Sequence, residues 1–453
     1  MNTECTPKQL ELQGFGRRKI TITNDADVAT SDGGLMLLHQ IEKRYGIIRR
    51  LSSCFHDRRN PRKIEHTVFQ LLSQRIYGLC QGYEDLNDHD QWRRDPLLSL
   101  VCGKENGGLL SGKSTLNRLE LGKEIDEAYG DRYNKIGWDS SKIEHLLVDL
   151  FMDSFSTPPE EIILDFDATD DPLHGHQEGR FFHGYYDSYC YLPLYVFAGS
   201  FPLAAKLRPS NIDASAGTVE LLQMMVPRIR IRFPKTRIVL RADSGFCRET
   251  IMKYCEDHGV YYVLGLPKNN RLKKALGSLM HAAEREFVQT GQRARRFADL
   301  RYRTKKSWSR TRRVVGKAEH LPKGSNPRFV VTNFSPFQWS ATTLYENLYC
   351  GRGEMENRIK EQQLYLFADR TSTGWMSSNQ LRLWFSTFAY MFFVFLRQVY
   401  LSDSEWEKSQ SSTLRLKILK VSASIKVTAR RVRIKLPYAY PYWDSWIRFS
   451  QVA

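Results

Sequence analysis

The stretch Glu161-Ile-Ile-Leu-Asp165-Phe-Asp167-Ala-Thr169-Asp170-Asp171-Pro-Leu-His174-Gly175 decides how the rest of the chain is read. An apolar run enters an acidic cluster, and turn residues follow, which is the pattern of a buried strand reaching its end. Side chains alternate along a strand, so Asp165 and Asp167 share one face. Carboxylates at the end of a central strand are costly unless a cation neutralises them, and that cation is either a divalent metal or a basic side chain. Taken alone, the same residues also make an ordinary Asp-rich turn.

A second strand end has the same grammar. Arg237-Ile-Val-Leu-Arg241-Ala-Asp243 is followed by Ser244-Gly-Phe246, so an apolar strand exits through an Asp into the start of a helix. Two such ends in one sheet bring two carboxylates to one edge. A third is offered by a helix around Asn347–Leu366, where Tyr349, Arg352, Glu356 and Lys360 follow i, i+3, i+7, i+11 along roughly one face. Read by itself, that face is a mixed-charge solvated surface.

The surrounding chain changes character several times. Residues 13–30 read as a basic arm ending in a short strand, and helices follow after Gly34, over Lys63–Gly82, Ser114–Gly130 and Lys142–Ser154. Thr157-Pro-Pro159 reads as a linker. Strands then dominate, including one over Tyr189–Gly199, with helices over Ala216–Ile229 and Cys247–His258 between them. Between 293 and 313 ten Arg and Lys are interleaved with Phe297, Tyr302 and Trp308. Partial alternation there suggests β-ribbons with a basic face, although exposed edge strands carry Lys and Arg for other reasons. Helices resume over Leu344–Tyr400, where the apolar Trp384–Leu396 suits a core or an assembly interface, and the chain beyond Leu414 is basic again.

At 453 residues the chain exceeds one typical domain, and 42% hydrophobic with 12% aromatic residues is ample for a packed interior. No apolar run approaches the roughly 20 residues of a membrane helix, and Met1-Asn-Thr-Glu-Cys-Thr-Pro7 lacks the basic and apolar regions of a signal peptide. A soluble protein of a reducing cytoplasm, with no membrane partner, is expected. The eight cysteines form no CxxC pair, and Cys255 with His258 has no second ligand-like pair nearby, so structural zinc is not expected. Sixty-seven Lys+Arg against 50 Asp+Glu leave a charge of +17, which implies a polyanionic partner, nucleic acid before membrane.

Together the three carboxylate-bearing pieces resemble the DDE transposases of bacterial insertion sequences, specifically the insertion-sequence-1380 group, a relative of the insertion-sequence-4 group. Ser31-Asp-Gly-Gly34, Gly82-Tyr-Glu-Asp-Leu-Asn-Asp88 and Ser114-Thr-Leu-Asn-Arg-Leu-Glu120 look like that group's N-terminal motifs, while the stretches around Asp167 and Asp243 look like its catalytic strands. The resemblance implies an α/β fold with a ribonuclease-H-like catalytic core. It would be interrupted by a β-rich insertion, follow a mostly helical N-terminal domain and precede a basic C-terminal region. The corresponding divisions are 1–157, 158–275, 276–343, 344–400 and 401–453. It implies Asp167, Asp243 and Glu356 as catalytic and metal-binding residues, with Asp165 close enough to be confused with Asp167. Two Mg²⁺ ions roughly 3.5–4 Å apart would be held there for in-line phosphoryl transfer, with Mn²⁺ able to substitute. Tyr349 and Arg352 would contact phosphates, and Lys360 stands one turn before the position of the group's Lys, which is Gln363 here. Arg301, Arg303, Trp308 and Arg310 of the basic ribbon would grip and stack on DNA. The implied partners are double-stranded DNA and further copies of the chain on paired ends, in a bacterial nucleoid setting.

One motif competes. Gly107-Gly-Leu-Leu-Ser-Gly112-Lys113-Ser114 fits the phosphate-binding loop G-x4-GK[ST], which would make the chain a DNA-associated ATPase. Such a loop leaves a buried strand, yet Lys104-Glu-Asn106 precede Gly107, so a loop into a capped helix is the alternative. A non-catalytic DNA-binding derivative of a transposase is a third reading.

Overall fold

A computed structural model describes residues 9–12, 20–23, 28–104, 108–125, 135–428 and 430–452. Of the expected basic arm, 13–19 and 24–27 lie outside these residues, as do Gly107 and the expected end of the third helix at Gly130. The fold is mixed α/β and forms two compact units. One comprises Tyr45–Lys63 and Arg118–Val394; the other comprises Met1–Arg44, Ile64–Asn117 and Phe395–Ala453.

The first unit is built on one large sheet. Its strands are β1 (Glu161–Ala168), β2 (Leu194–Ala198), β3 (Phe201–Lys206), β4 (Arg237–Ala242), β5 (Tyr261–Leu266), β6 (Ala294–Tyr302), β7 (Arg312–Leu321) and β8 (Arg328–Thr332). Their spatial order is β3-β2-β1-β4-β5-β8-β7-β6. β1 is antiparallel to β2 but parallel to β4, and β4 is parallel to β5. Parallel neighbours need crossovers. These are supplied by helices α2 (Thr218–Arg232) before β4 and α3 (Glu249–Asp257) between β4 and β5. Every residue of β2 is buried, as expected for a strand covered on both faces.

Several features differ from the sequence expectations. The expected strand over Tyr189–Gly199 is divided between a small sheet, where Ser188–Tyr191 pairs with Phe181–His183, and β2 of the large one. Pro193 stands at the break, since it has no N–H to give a ladder. The segment 276–343, expected as a basic β-rich insertion, adds its strands to the main sheet. Apolar β8 pairs with β5 through Val263↔Thr332 to Leu266↔Phe329, and with β7 on its other edge. That pairing removes an unprotected edge from β5. The boundary expected at residue 157 falls inside this unit, because the Ser140–Asp153 helix (α1) is clamped to α2 by a two-pronged Arg228–Asp149 pair, both bonds 2.6 Å. Helix α6 (Met376–Phe395), after α4 (Gly277–Thr290) and α5 (Gly353–Leu366), is mostly polar in its first two turns and buried at every position from Leu383 onward. Trp384–Leu396 is core: Trp384 meets Trp138 edge-on at 5.3 Å and Tyr390 meets Phe197 at 6.1 Å.

In the second unit, Asp32 is fully buried and is the hub. It accepts from Tyr83 Oη at 2.9 Å and Trp92 Nε1 at 3.0 Å and pairs with Lys420 Nζ at 2.8 Å. The N-terminal motifs at 31–34 and 82–88 therefore meet the C-terminal segment through one carboxylate. Gly34 is required there: a Cβ would lie 2.3 Å from the Leu419 Cα. Helix Val68–Gln81 starts with the capping box Thr67/Gln70 and ends at Gly82 in the left-handed region, φ 91°. Among the described residues no helix is long and apolar enough to cross a membrane.

Candidate active site

The parallel register of β1 and β4 creates the site. Arg241 lies opposite Asp165 and Ala242 opposite Phe166, so one further step places Asp243 level with Asp167 at the same end of the sheet. Both face a cavity of about 790 Å³, which Arg352, Glu356, Lys360 and Gln363 line from α5 and the turn before it. Asp243 is held by its own turn, its Oδ1 accepting from Gly245 N at 2.8 Å. Arg352 spans the cavity mouth, donating to Asp167 Oδ2 at 3.4 Å and to Glu356 Oε1 at 3.1 Å.

Asp165 has a different fate from Asp167. It is 4% exposed and takes both prongs of the Arg241 guanidinium, at 2.5 and 2.7 Å. Its neutralising cation is thus a side chain, and it is not among the residues that line the cavity. Burial raises the Asp165 carboxyl while Arg241 opposes that shift. Arg241 also donates to Leu348 O at 2.6 Å, which fixes the segment leading to Tyr349 and Arg352. Gly351 is small for the same reason, since a Cβ would sit 2.6 Å from Arg241 Nη1.

Asp167 is pushed up to about 6, chiefly by burial and then by the charges of Asp243 and Glu356, against the pull of Arg352. This all-oxygen donor set suits a hard divalent ion. Among the described residues, however, no three His, Cys, Asp or Glu side chains are grouped tightly enough to hold one. The positive charge between Asp167 and Glu356 is that of Arg352.

The helix bearing Tyr349 to Lys360 is not uniform. Leu344–Tyr349 is a π-helical turn, Cys350–Arg352 a 3₁₀ turn, and α5 follows. These changes of pitch break the i, i+3, i+7, i+11 row. Arg352, Glu356 and Lys360 line the main cavity, whereas Tyr349 lines a neighbouring one of about 300 Å³ with Ser244 and Gly265. Ser244 lines both cavities, and Gly265 packs against it: a Cβ there would lie 2.7 Å from Ser244 N, 2.7 Å from Tyr349 Oη and 3.0 Å from Asp243 C. Gly265→Ala therefore must move the turn carrying Asp243. Its single-turnover rate is expected to fall by about 10²-fold, with a stability loss of only about 1–3 kcal/mol. A wild-type rate in a folded variant would show that this packing does not position the site.

The basic ribbon does not line this cavity, and half of its ten cations between 293 and 313 are matched to acidic side chains. Arg295 pairs with Glu319 and Glu346, Arg296 with Glu286, Arg310 with Glu256, Arg312 with Glu249 and Glu256, and Arg313 with Asp299. Trp308 is 4% exposed beneath Arg312, so it packs in the protein and presents no stacking face. Arg301 and Arg303 are exposed, the latter donating to Trp308 O at 3.1 Å. None of Arg301, Arg303, Trp308 and Arg310 lines the main cavity. His183, Tyr185 and Tyr186 do line it, from the tip of the Phe181–Tyr191 hairpin, and Tyr185 is 85% exposed. Sequence reasoning missed them; the one available signal was the aromatic run Phe181 to Tyr186 around Gly184.

Behind the site, Asp171 is 1% exposed, with Oδ2 accepting from Thr371 Oγ1 at 2.9 Å. Burial first, then Asp369 and Asp170, push it up to about 8. In the unfolded chain it titrates near ~3.9, so the folded state holds the extra proton between those values and stability falls as pH rises from about 4 to about 8. Asp171→Asn cannot ionise. Its melting temperature minus that of the wild type is expected to grow between pH 5 and pH 8, and a constant difference would contradict the assignment.

The phosphate-loop motif has the wrong setting. A helix, Pro96–Val101, precedes it where a strand is required, and Lys113 opens the next helix with its N–H on Asp90 Oδ1 at 2.9 Å and Nζ on Asn87 Oδ1 at 2.8 Å.

The fold is thus a sheet of parallel and antiparallel strands that sets Asp167 and Asp243 at neighbouring strand ends. The chain belongs to the DDE transposases: residues 12–451 match the family described as Transposase DDE domain group 1. Among solved structures it is similar to the piggyBac transposase in a synaptic complex with hairpin DNA, at 12% identity over 86% of this chain and 80% of that one, with a TM-score of 0.42. None of the curated proteins matches.

Proposed function

We propose that this transposase cuts the ends of its own mobile element and joins the exposed 3′-hydroxyls to target DNA, using Asp167, Asp243 and Glu356. The observation that carries the proposal is the β1/β4 register, which sets Asp167 and Asp243 side by side while Arg352 links Asp167 to Glu356. The strand order β3-β2-β1-β4-β5, with β1, β4 and β5 parallel, supports a ribonuclease-H-like core. The motifs quoted above support placement in the insertion-sequence-1380 group and hence a bacterial, nucleoid-associated setting.

With Arg352 released from Asp167 and Glu356, the three carboxylates would be free to hold divalent magnesium, which when bound supplies charge for the departing oxygen and an activated water or hydroxyl. Arg352 is poised to exchange its carboxylate partners for a phosphate, since its planar fork suits both. Tyr349, wedged beside Gly265 and Ser244, would fix the turn that bears Asp243. Lys360 and the exposed Arg301 and Arg303 would add phosphate contacts. Double-stranded DNA and a second copy of the chain on the paired end are the partners.

The joining step is the test. A duplex element end with an exposed 3′-hydroxyl is incubated with supercoiled target plasmid, and covalent products are mapped. Insertion through that hydroxyl, lost when the end is dideoxy-terminated, is expected. Persistent joining of a dideoxy end would overturn the proposal.

A further inference from the structure

The tail of the second unit carries charge that the fold leaves unspent. Strand Ala423–Thr428 pairs with Arg431–Lys435 as a hairpin, and only its root is reinforced, through Ala423↔Thr30 and Ser424↔Ala29. Beyond Ile425, whose N–H reaches Val28 O at 2.8 Å, it continues as a ribbon of two strands. The register sorts its faces. Ile425↔Ile434 and Val427↔Val432 lie on one; Ser424↔Lys435, Lys426↔Arg433 and Thr428↔Arg431 lie on the other.

Lys426 and Arg433 are therefore directly opposed like charges, with Arg431 and Lys435 on the same face, and all four are exposed. Opposed like charges destabilise a two-stranded ribbon, and such ribbons have little stability to lose. Among the described residues none of the four forms an ion pair with an acidic side chain. The contrast is with the 294–321 ribbon, where Arg295, Arg312 and Arg313 are each matched to Glu or Asp. Guarding an edge against aggregation takes a single inward or edge charge. It does not call for opposed cations along a face.

We infer that the 423–435 hairpin lays its basic face, Lys426, Arg431, Arg433 and Lys435, on the phosphate backbone of duplex DNA, as a contact surface separate from the catalytic cavity. A two-stranded ribbon has the dimensions to follow a DNA groove, and phosphate neutralisation relieves the cross-strand repulsion. The inference rests on the DNA reading proposed above.

The test uses the full chain carrying Lys426→Gln, Arg431→Gln, Arg433→Gln and Lys435→Gln together. Its anisotropy titrations are compared with wild type on an element-end duplex and on an unrelated duplex of equal length, from 50 to 200 mM salt. Affinity is expected to fall at least tenfold on both duplexes, and the slope of log K against log[salt] to become shallower by roughly 3 to 4, at about 0.9 per phosphate. The variant is expected to melt no lower than wild type, because repulsion has been removed. An unchanged slope and affinity in the folded variant overturn the inference, and a loss confined to the element end overturns the phosphate assignment. Those results leave wild-type binding intact; failure of the wild type to bind either duplex would instead remove the DNA reading on which the inference rests. A single exchange, Arg433→Gln, with an expected slope change of about 1, supplies the same test if the fourfold variant does not fold.

Discussion

Asp167→Asn is expected to lower strand cutting by on the order of 10³-fold without lowering the melting temperature at pH 8. The two halves of that expectation have one cause. Burial and the neighbouring Asp243 and Glu356 raise Asp167 to about 6, so its charged form is held at a cost. The unfolded value is near ~3.9. The stability this group contributes is thus full below about pH 4 and is lost as pH rises through about 6. At pH 8 the ionised carboxylate is present for function and against stability, and Asn removes both. Asp165→Asn is expected to behave oppositely, lowering the melting temperature because Arg241 loses its buried, doubly bonded counter-charge. Melting curves and single-turnover rates on the two variants separate them. Wild-type cutting by Asp167→Asn, or unchanged melting of Asp165→Asn, would contradict the division of roles.

Arg241→Ala should be the most destabilising single exchange near the site. It strands a carboxylate that is 4% exposed and deletes the bond to Leu348 O. Breaking a buried pair from one side costs about 3–5 kcal/mol, which for a unit of this size is a fall of roughly 10 °C. Arg241→Lys keeps the charge but cannot present a two-pronged fork, so it should restore only part of the loss. Cutting should fall in both, because the segment that Arg241 pins leads directly to Tyr349 and Arg352. A melting temperature within about 2 °C of wild type for Arg241→Ala would show that the pair is not structurally coupled, given the ~2–4 °C expected per kcal/mol.

The strands that carry these groups were legible in the sequence because each is an apolar run bounded by turn residues; β1, β4 and β5 follow that rule. What separates Asp165 from Asp167 was not legible. The two alternate onto the same face, and only the neighbouring strand, through Arg241, decides which one is neutralised within the protein. Pairing of β8 with β5 joins residues about seventy positions apart in the chain, so local patterning showed strands in 276–343 but not that they finish the main sheet. The same holds for the compact units, one of which gathers three separated segments around Asp32. Helix phase from Tyr349 to Lys360 was misjudged because a π turn followed by a 3₁₀ turn leaves no mark in apolar spacing. Trp308 looked like a stacking residue because its Arg neighbours were visible and their acidic partners on α3 were not.

Asp167, Asp243 and Glu356 are expected to cut DNA with a divalent metal. The most direct measurement is nicking of a labelled duplex spanning one end of the element, with Mg²⁺ and without ATP, by wild type, Asp243→Asn, Glu356→Gln and Lys113→Ala. Wild type and Lys113→Ala are expected to leave a nick with a 3′-hydroxyl, while the two carboxylate variants bind the duplex and leave it intact. Nicking that persists in Asp243→Asn and Glu356→Gln, or that requires ATP and vanishes with Lys113→Ala, would place the chemistry elsewhere in the chain.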